Sequence, residues 1–215
     1  MDDLVIIGAG DTGRELIDIV ERINSVKLTW NLLGFVDDND DIQGSLVEGF
    51  KVLGKTALLN DVKEPIFVIC SISTGAIKKR VLSKINNPLI KYATLIDPNV
   101  TLCKGCIVEE GSVIYPGVRL AINSHINKHS YVGFNSTIGH DTVVGDYCDV
   151  YPGVNVSGKV VLEECVDLGT GARIIQSIRI GRNTVVGAGA VVIRNISDYC
   201  VAAGVPAKII KRYGA

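Results

Sequence analysis

LIDPNV TLCKGC IVEEGS VIYPGV RLAINS HINKHS YVGFNS TIGHDT VVGDYC DVYPGV NVSGKV VLEECV DLGTGA RIIQSI RIGRNT VVGAGA VVIRNI is the stretch from Leu95 to Ile196 written in sixes, and its second letter is Ile, Leu or Val all seventeen times. Those three types supply 70 of the 215 residues, so an unbroken run of this length is a repeat and not an effect of composition. Glycine recurs at the third letter, at Gly133, Gly139, Gly145, Gly169, Gly181 and Gly187, and small or β-branched residues dominate the sixth. The aliphatic and small positions are expected to point inward, with the third-letter glycines letting the chain turn tightly between them.

Upstream of the repeat, residues 1–90 follow a different grammar. Leu4 to Ile7 form an aliphatic run that enters Gly8-Ala9-Gly10-Asp11-Thr12-Gly13, and Leu16, Ile19, Val20 and Ile23 follow at helical spacing. A second apolar stretch, Leu32 to Val36, ends in Asp37-Asp38, and a third, Ile66 to Cys70, ends in Ser71-Ile72-Ser73-Thr74-Gly75. Three strands carrying small or acidic residues at their C-terminal ends predict a small parallel sheet with a ligand crevice there. The GxGxxG turn with acids downstream also fits a dinucleotide site, but no second mononucleotide half follows, which argues against a dehydrogenase.

Composition narrows the function classes. Charged residues make up 21% of the chain and the net charge is -1, so there is no basic field for a nucleic acid backbone. No apolar run approaches the roughly 18 residues of a membrane helix, and the start, MDDLVIIGAG, has no basic n-region; the chain reads as cytoplasmic. Six irregularly spaced cysteines read as reduced, buried small side chains, and Cys103 and Cys106 have no second pair at zinc-site spacing. No metal is expected.

The repeat, the segment Ile138-Gly139-His140-Asp141-Thr142-Val143-Val144-Gly145-Asp146 and the terminal Ala203-Gly204-Val205-Pro206-Ala207-Lys208 together resemble the hexapeptide-repeat acyltransferases. Within them the chain is similar to the nucleotide-sugar N-acetyltransferases of the bacillosamine and perosamine pathways, relatives of the sialic acid O-acetyltransferases. The resemblance implies an α/β N-terminal Rossmann-like βαβ domain over 1–90 that binds the nucleotide-sugar. An all-β left-handed parallel β-helix over 91–196 follows, then a cap over 197–215. Three hexapeptides make one coil of a triangular prism, so residues 18 apart stack. This handedness is an exception to the usual crossover rule.

The implied reaction moves an acetyl group from acetyl-CoA to the amine of a nucleotide-linked amino sugar, here expected to be a UDP-linked 4-amino-4,6-dideoxy sugar. The attacking amine must lose a proton, and an imidazole with a pKa of about 6.5 suits that step near neutral pH. His140, at the fourth letter of its hexapeptide and able to project outward, is the candidate base, with Asp141 fixing its tautomer. Gly158 stacks one coil above His140 and is expected to leave a groove for the pantetheine arm. The resemblance carries the acetyl-CoA site to Asp149, Gly158, Thr170 and Ala188 along a ridge toward the C-terminus. Asp149 stands where the family commonly has histidine, one coil below Asp167. Gly10, Asp11 and Thr12 are implied to face the nucleotide-sugar, Asp37 and Asp38 its base and ribose, and the loop carrying Ser71 and Ser73 the diphosphate. Asp11-Thr12 replaces the family's frequent Gly-His, and Gly133 stands where relatives often have asparagine.

Other readings weigh less. His125 and His129 are expected to be solvated surface residues, and the histidine separations of 4, 11 and 15 include no multiple of 18, against a zinc site built on stacked coils. Serine O-acetyltransferase chemistry would bring a second catalytic histidine and an all-helical N-terminal domain. Sugar O-acetylation and a non-catalytic hexapeptide scaffold stay open as alternatives. Relatives trimerise with the cofactor groove between subunits, so a homotrimer with three interfacial sites is expected. Tyr115 and Tyr151, 36 residues apart on one edge, would be either an intersubunit row or an ordinary edge stack.

Overall fold

A computed structural model describes residues 1–214. The chain forms two compact units, one of residues 1–73 with 77–98, the other of 74–76 with 99 onward. The first unit is built on β1 (Asp2–Ile7), α1 (Asp11–Val26), β2 (Trp30–Val36), β3 (Leu46–Val47), β4 (Phe50–Gly54), β5 (Ile66–Cys70), α2 (Gly75–Leu82) from its third residue on, and β6 (Ile90–Tyr92). The strands form one sheet in the order β3-β4-β2-β1-β5-β6. All neighbours run parallel except β3 and β4, joined by Glu48-Gly49 with φ of 46° and 84°. Positive φ at both turn residues is the geometry of a tight type I′ hairpin. The three predicted strands are therefore the centre of a six-stranded sheet. Leu4, Val5, Ile6, Ile7, Phe35, Val36, Val68 and Ile69 are at most 2% exposed, so both faces of the central strands are covered, and α1 buries Leu16, Ile17, Ile19 and Val20.

The second unit is the left-handed parallel β-helix. Strands of two residues, the first and second letters of each hexapeptide, run from Thr101–Leu102 to Val191–Val192 and pair in parallel with the strand 18 residues on, as in Arg119 with Thr137 and Asp149 with Asp167. They make the three faces of the prism. Second-letter side chains from Leu120 to Val192 are at most 3% exposed, whereas Leu102, on the first coil, is 47% exposed. Sixth-letter hydroxyls bind successive coils. Ser130 Oγ donates to the Gly145 carbonyl at 2.7 Å and accepts from the Cys148 N–H at 3.1 Å, and Thr142 does the same with Ser157 and Val160. Each such pair satisfies backbone groups that water cannot reach.

The turning residues differ from expectation. The third-letter glycines do not have positive φ; the fifth letters do, from Gly105 to Gly189, at 52–76° and including Asn123, His129, Asn135, Asp141 and Lys159. Third-letter glycine serves the stacking instead. A Cβ at Gly139 would stand 2.4 Å from Gly158 N, and one at Gly169 2.6 Å from Ala188 N. Both contacts are with backbone that cannot give way.

After the repeat, Cys200–Ala203 adds a further strand parallel to Val185–Val186, and Lys208–Arg212 returns antiparallel to it as an edge. Cys200 and Ala202 are at most 1% exposed, so this segment covers the last coil. Terminal repeats of solenoids need such a cover. No helix among the described residues is long and apolar enough to cross a membrane.

Candidate active site

Asp141 sits at a prism corner in the left-handed region, φ 56°, which aspartate tolerates better than most residues. Its Oδ2 lies 2.8 Å from His140 Nδ1. The contact with His140, then a second hydrogen bond from Asn123 and the charge of Lys159, hold the Asp141 carboxyl below the ordinary aspartate range. An ionised carboxylate only accepts, so Nδ1 is the donor of this contact, and in a neutral imidazole that leaves the lone pair on Nε2. The His140 side chain remains 53% exposed.

Gly158, one coil on, lies against this ring. A Cβ there would meet His140 Nε2 at 2.4 Å, Cε1 at 2.6 Å and Cδ2 at 2.7 Å. The space left by the missing side chain is therefore filled by the imidazole itself and is not a groove for a second molecule, because the ring folds back along the prism onto the next coil.

The remaining residues of the expected acetyl-CoA set do not share one ridge. Stacking at 18 residues puts Gly158 in the column of His140, but Thr170 and Ala188 in a column at a different corner, where both are exposed. Asp149 is on a flat face, between Tyr131 and Asp167, and is 2% exposed. Beside Asp167, a cavity of about 290 Å³ is lined by Thr74, Ala76, Cys165, Asn183 and Tyr199.

The other two histidines have structural partners. His125 Nε2 is 2.7 Å from Glu109 Oε1. His129 is only 6% exposed, not a solvated residue, because it stacks on Tyr147 at 5.1 Å and fills the space over Gly111. Tyr115 is likewise fully buried, in ring contact with Tyr131 and Phe134, so it packs within its own chain. Among the described residues no three His, Cys, Asp or Glu side chains gather as a metal site.

In the first unit the glycine-rich turn is packed from below. Gly8, φ 98°, and Gly13 admit each other and Ser71: a Cβ on Gly13 would stand 2.2 Å from the Gly8 carbonyl oxygen, and one on Gly8 2.6 Å from Ser71 Oγ. Ser71 donates to the Ile7 and Gly8 carbonyls at 2.9 Å, so its hydroxyl is used in the fold. Gly10 caps α1 and has open space around it, Asp11 is exposed beside Arg14, and Thr12 Oγ1 lies 3.5 Å from Ser73 Oγ. Asp37 accepts from the Ala9 and Asn39 N–H groups, both at 2.8 Å, tying the turn to the end of β2. Asp38 instead accepts from Thr56 N at 2.9 Å, which lowers its pKa, and borders a cavity of about 360 Å³ with Lys55, Asn60 and Lys84. Gly10, Thr12, Ser73 and Asp37 thus meet at the C-terminal ends of β1, β2 and β5, the crevice where open α/β sheets bind ligands.

Asn123 was absent from the expected site. It stacks one coil before Asp141 and donates from Nδ2 to Asp141 Oδ1 at 3.1 Å. The 18-residue period points to it directly, since 123 is one coil before 141.

Residues 3–85 match the PglD N-terminal domain family. The chain is 31% identical over 185 residues to the GDP-perosamine N-acetyltransferase of Escherichia coli O157:H7, covering 86% of this chain and 82% of that one. PerB from Caulobacter crescentus, solved with CoA and GDP-perosamine, superposes with a TM-score of 0.88 at 26% identity, covering 98% of both chains. The acetyltransferase domain of PglB from Neisseria gonorrhoeae, solved with acetyl coenzyme A, gives a TM-score of 0.84 at 29% identity, covering 97% of this chain and 98% of that one. With a hexapeptide prism, a glycine-rich α/β unit and a full-length likeness to these enzymes, the chain belongs to the hexapeptide-repeat nucleotide-sugar N-acetyltransferase family and is an acyltransferase.

Proposed function

We propose that this protein transfers the acetyl group of acetyl-CoA to the amino group of a nucleotide-linked 4-amino sugar, with His140 as general base and Asp141 as its orienting acid. The observation that carries this reading is the 2.8 Å His140–Asp141 contact on an exposed corner of the prism. GDP-perosamine is the first acceptor to test, because the 31% identical relative is named for it. A UDP-linked 4-amino sugar is the second.

Acetyl-CoA supplies an acetyl carbon activated as a thioester. As the sugar nitrogen bonds to that carbon, His140 Nε2 takes the proton the nitrogen loses, and Nδ1–H stays bonded to Asp141, which stabilises the imidazolium. The carbon–sulfur bond breaks and Nε2 returns the proton to the departing sulfur, leaving the acetamido sugar and the free thiol. The nucleotide lies at the ends of β1, β2 and β5, its phosphates near Gly10 and Thr12 and its base toward the cavity beside Asp38. Exposed Thr170 and Ala188 fit a pantetheine arm running along the outside of the prism. They are at a different corner from His140, and a homotrimer would bring that corner of one subunit against the His140 corner of the next.

The test is a thiol-release assay with acetyl-CoA and each acceptor, run on wild type and His140→Ala. Turnover that falls by about a hundredfold or more in the variant is the scale expected for loss of a general base. Full turnover in the variant rejects the mechanism.

A further inference from the structure

The Asp141 side chain is half exposed, and although its backbone N–H donates to the Ile122 carbonyl at 3.0 Å, a single side-chain hydrogen bond to a neighbouring ring would leave the carboxylate free to rotate about its own axis. A second donor on the other oxygen fixes the plane. Asn123 is that donor, bonded from Nδ2 to Oδ1 while Oδ2 faces His140. Asn123 is itself held. Its backbone N–H donates to the Lys104 carbonyl at 3.1 Å, and its side-chain oxygen occupies the space over Gly105, where a Cβ would stand 2.5 Å away.

The three corners of the prism share this small-under-large arrangement: Gly105 under Asn123, Gly111 under His129 and Gly117 under Asn135. They differ in what comes next. His129 meets Tyr147 by ring stacking and the coil above Asn135 carries Gly153, whereas the amide of Asn123 reaches a carboxylate that in turn touches the exposed imidazole. We infer that Asn123 is a positioning residue for the acetyl transfer, acting through Asp141 to hold the His140 tautomer and ring orientation. This inference rests on His140 being the base.

The groups facing Asp141 are His140, Asn123 and, by its charge, Lys159 on the same corner. Asn123, φ 56°, tolerates two informative replacements. Glycine relieves the left-handed conformation and removes the donor, and aspartate keeps the size and turn preference of asparagine but replaces the N–H donor with a second carboxylate. A residue that merely packs would accept Asn123→Asp. A positioning residue makes it the more damaging of the two.

We expect Asn123→Gly to lower kcat about tenfold, the scale of lost outer-shell hydrogen bonds, with both KM values within about twofold of wild type. Asn123→Asp should lower kcat further. In an Asp141→Asn background, Asn123→Gly should cause no added loss, because the two act as one unit. In the protein without substrates, nitrogen NMR of labelled histidine should show His140 losing Nδ1–H population in Asn123→Gly. A wild-type kcat in Asn123→Gly, additive losses in the double variant or an unchanged tautomer would each overturn the inference while His140→Ala keeps its large loss of turnover. An active His140→Ala would instead overturn the general-base reading, and the inference with it.

Discussion

Replacing Gly158 with alanine separates position from fold in this site. Gly158 lies outside the left-handed region, so its backbone accepts a Cβ, and the atoms that Cβ would meet belong to one exposed side chain. The new methyl would be 2.4 Å from His140 Nε2, against 3.4 Å and more for ordinary contact, so the ring must move by about 1 Å. It can do so into solvent, at little cost in stability. Nε2, the proposed base, then leaves its place, and the hydrogen bond to Asp141 stretches with it. A misplacement of about 1 Å costs on the order of a hundredfold in rate, which is about 2.7 kcal/mol of transition-state stabilisation. Gly158→Ala should therefore melt within about 3 °C of wild type and lose about a hundredfold in kcat in the thiol-release assay. A variant of wild-type kcat would refute the argument that this glycine sets the imidazole, and a large fall in melting temperature would show that the backbone, not the ring, had yielded.

Two more outcomes follow from the first unit. Gly13→Ala would press a methyl to 2.2 Å from a carbonyl oxygen that also accepts from Ser71, and neither backbone can retreat; urea titration should show a loss of about 1–3 kcal/mol or more, and unchanged stability would contradict the packing. Asp38 has its pKa lowered, chiefly by the Thr56 N–H, so its contribution is present above the ordinary aspartate value and fades as pH falls below about 4 through the folded-state value. In Asp38→Asn the dependence of stability on pH should be shallower in that acid window, and an unchanged slope would remove Asp38 as a contributor.

The prism was legible because its signal is arithmetic. A fixed period places Asp149 against Asp167 and His140 against Gly158 before any coordinates exist. The same period also contains Asn123 and the separate corner of Thr170 and Ala188, since both follow from adding or subtracting 18, whereas the family pattern marks neither the asparagine nor the change of corner. What the period cannot carry is the reason for each small residue. Third-letter glycine and fifth-letter glycine look alike in the sequence, yet one avoids a backbone above it and the other adopts positive φ, and only the fold separates close approach from chain reversal. In the first unit the short strands β3 and β6 have two and three residues, too few to show a period. Asp37 and Asp38 are adjacent and chemically alike, so the sequence gives no means to tell that one ties the glycine-rich turn and the other borders a cavity.

The column Gly105, Asn123, Asp141 and the neighbouring pair His140, Gly158 draw on four consecutive coils, each supplying one contact to the next. In a solenoid each coil touches only its neighbours, so a whole coil added or removed elsewhere leaves the stack able to close. Between residues 105 and 158 the same event would part an amide from its carboxylate or a ring from the glycine it lies against while the prism stood intact. The section between residues 105 and 158 is therefore a stretch whose coil count the proposed chemistry must keep.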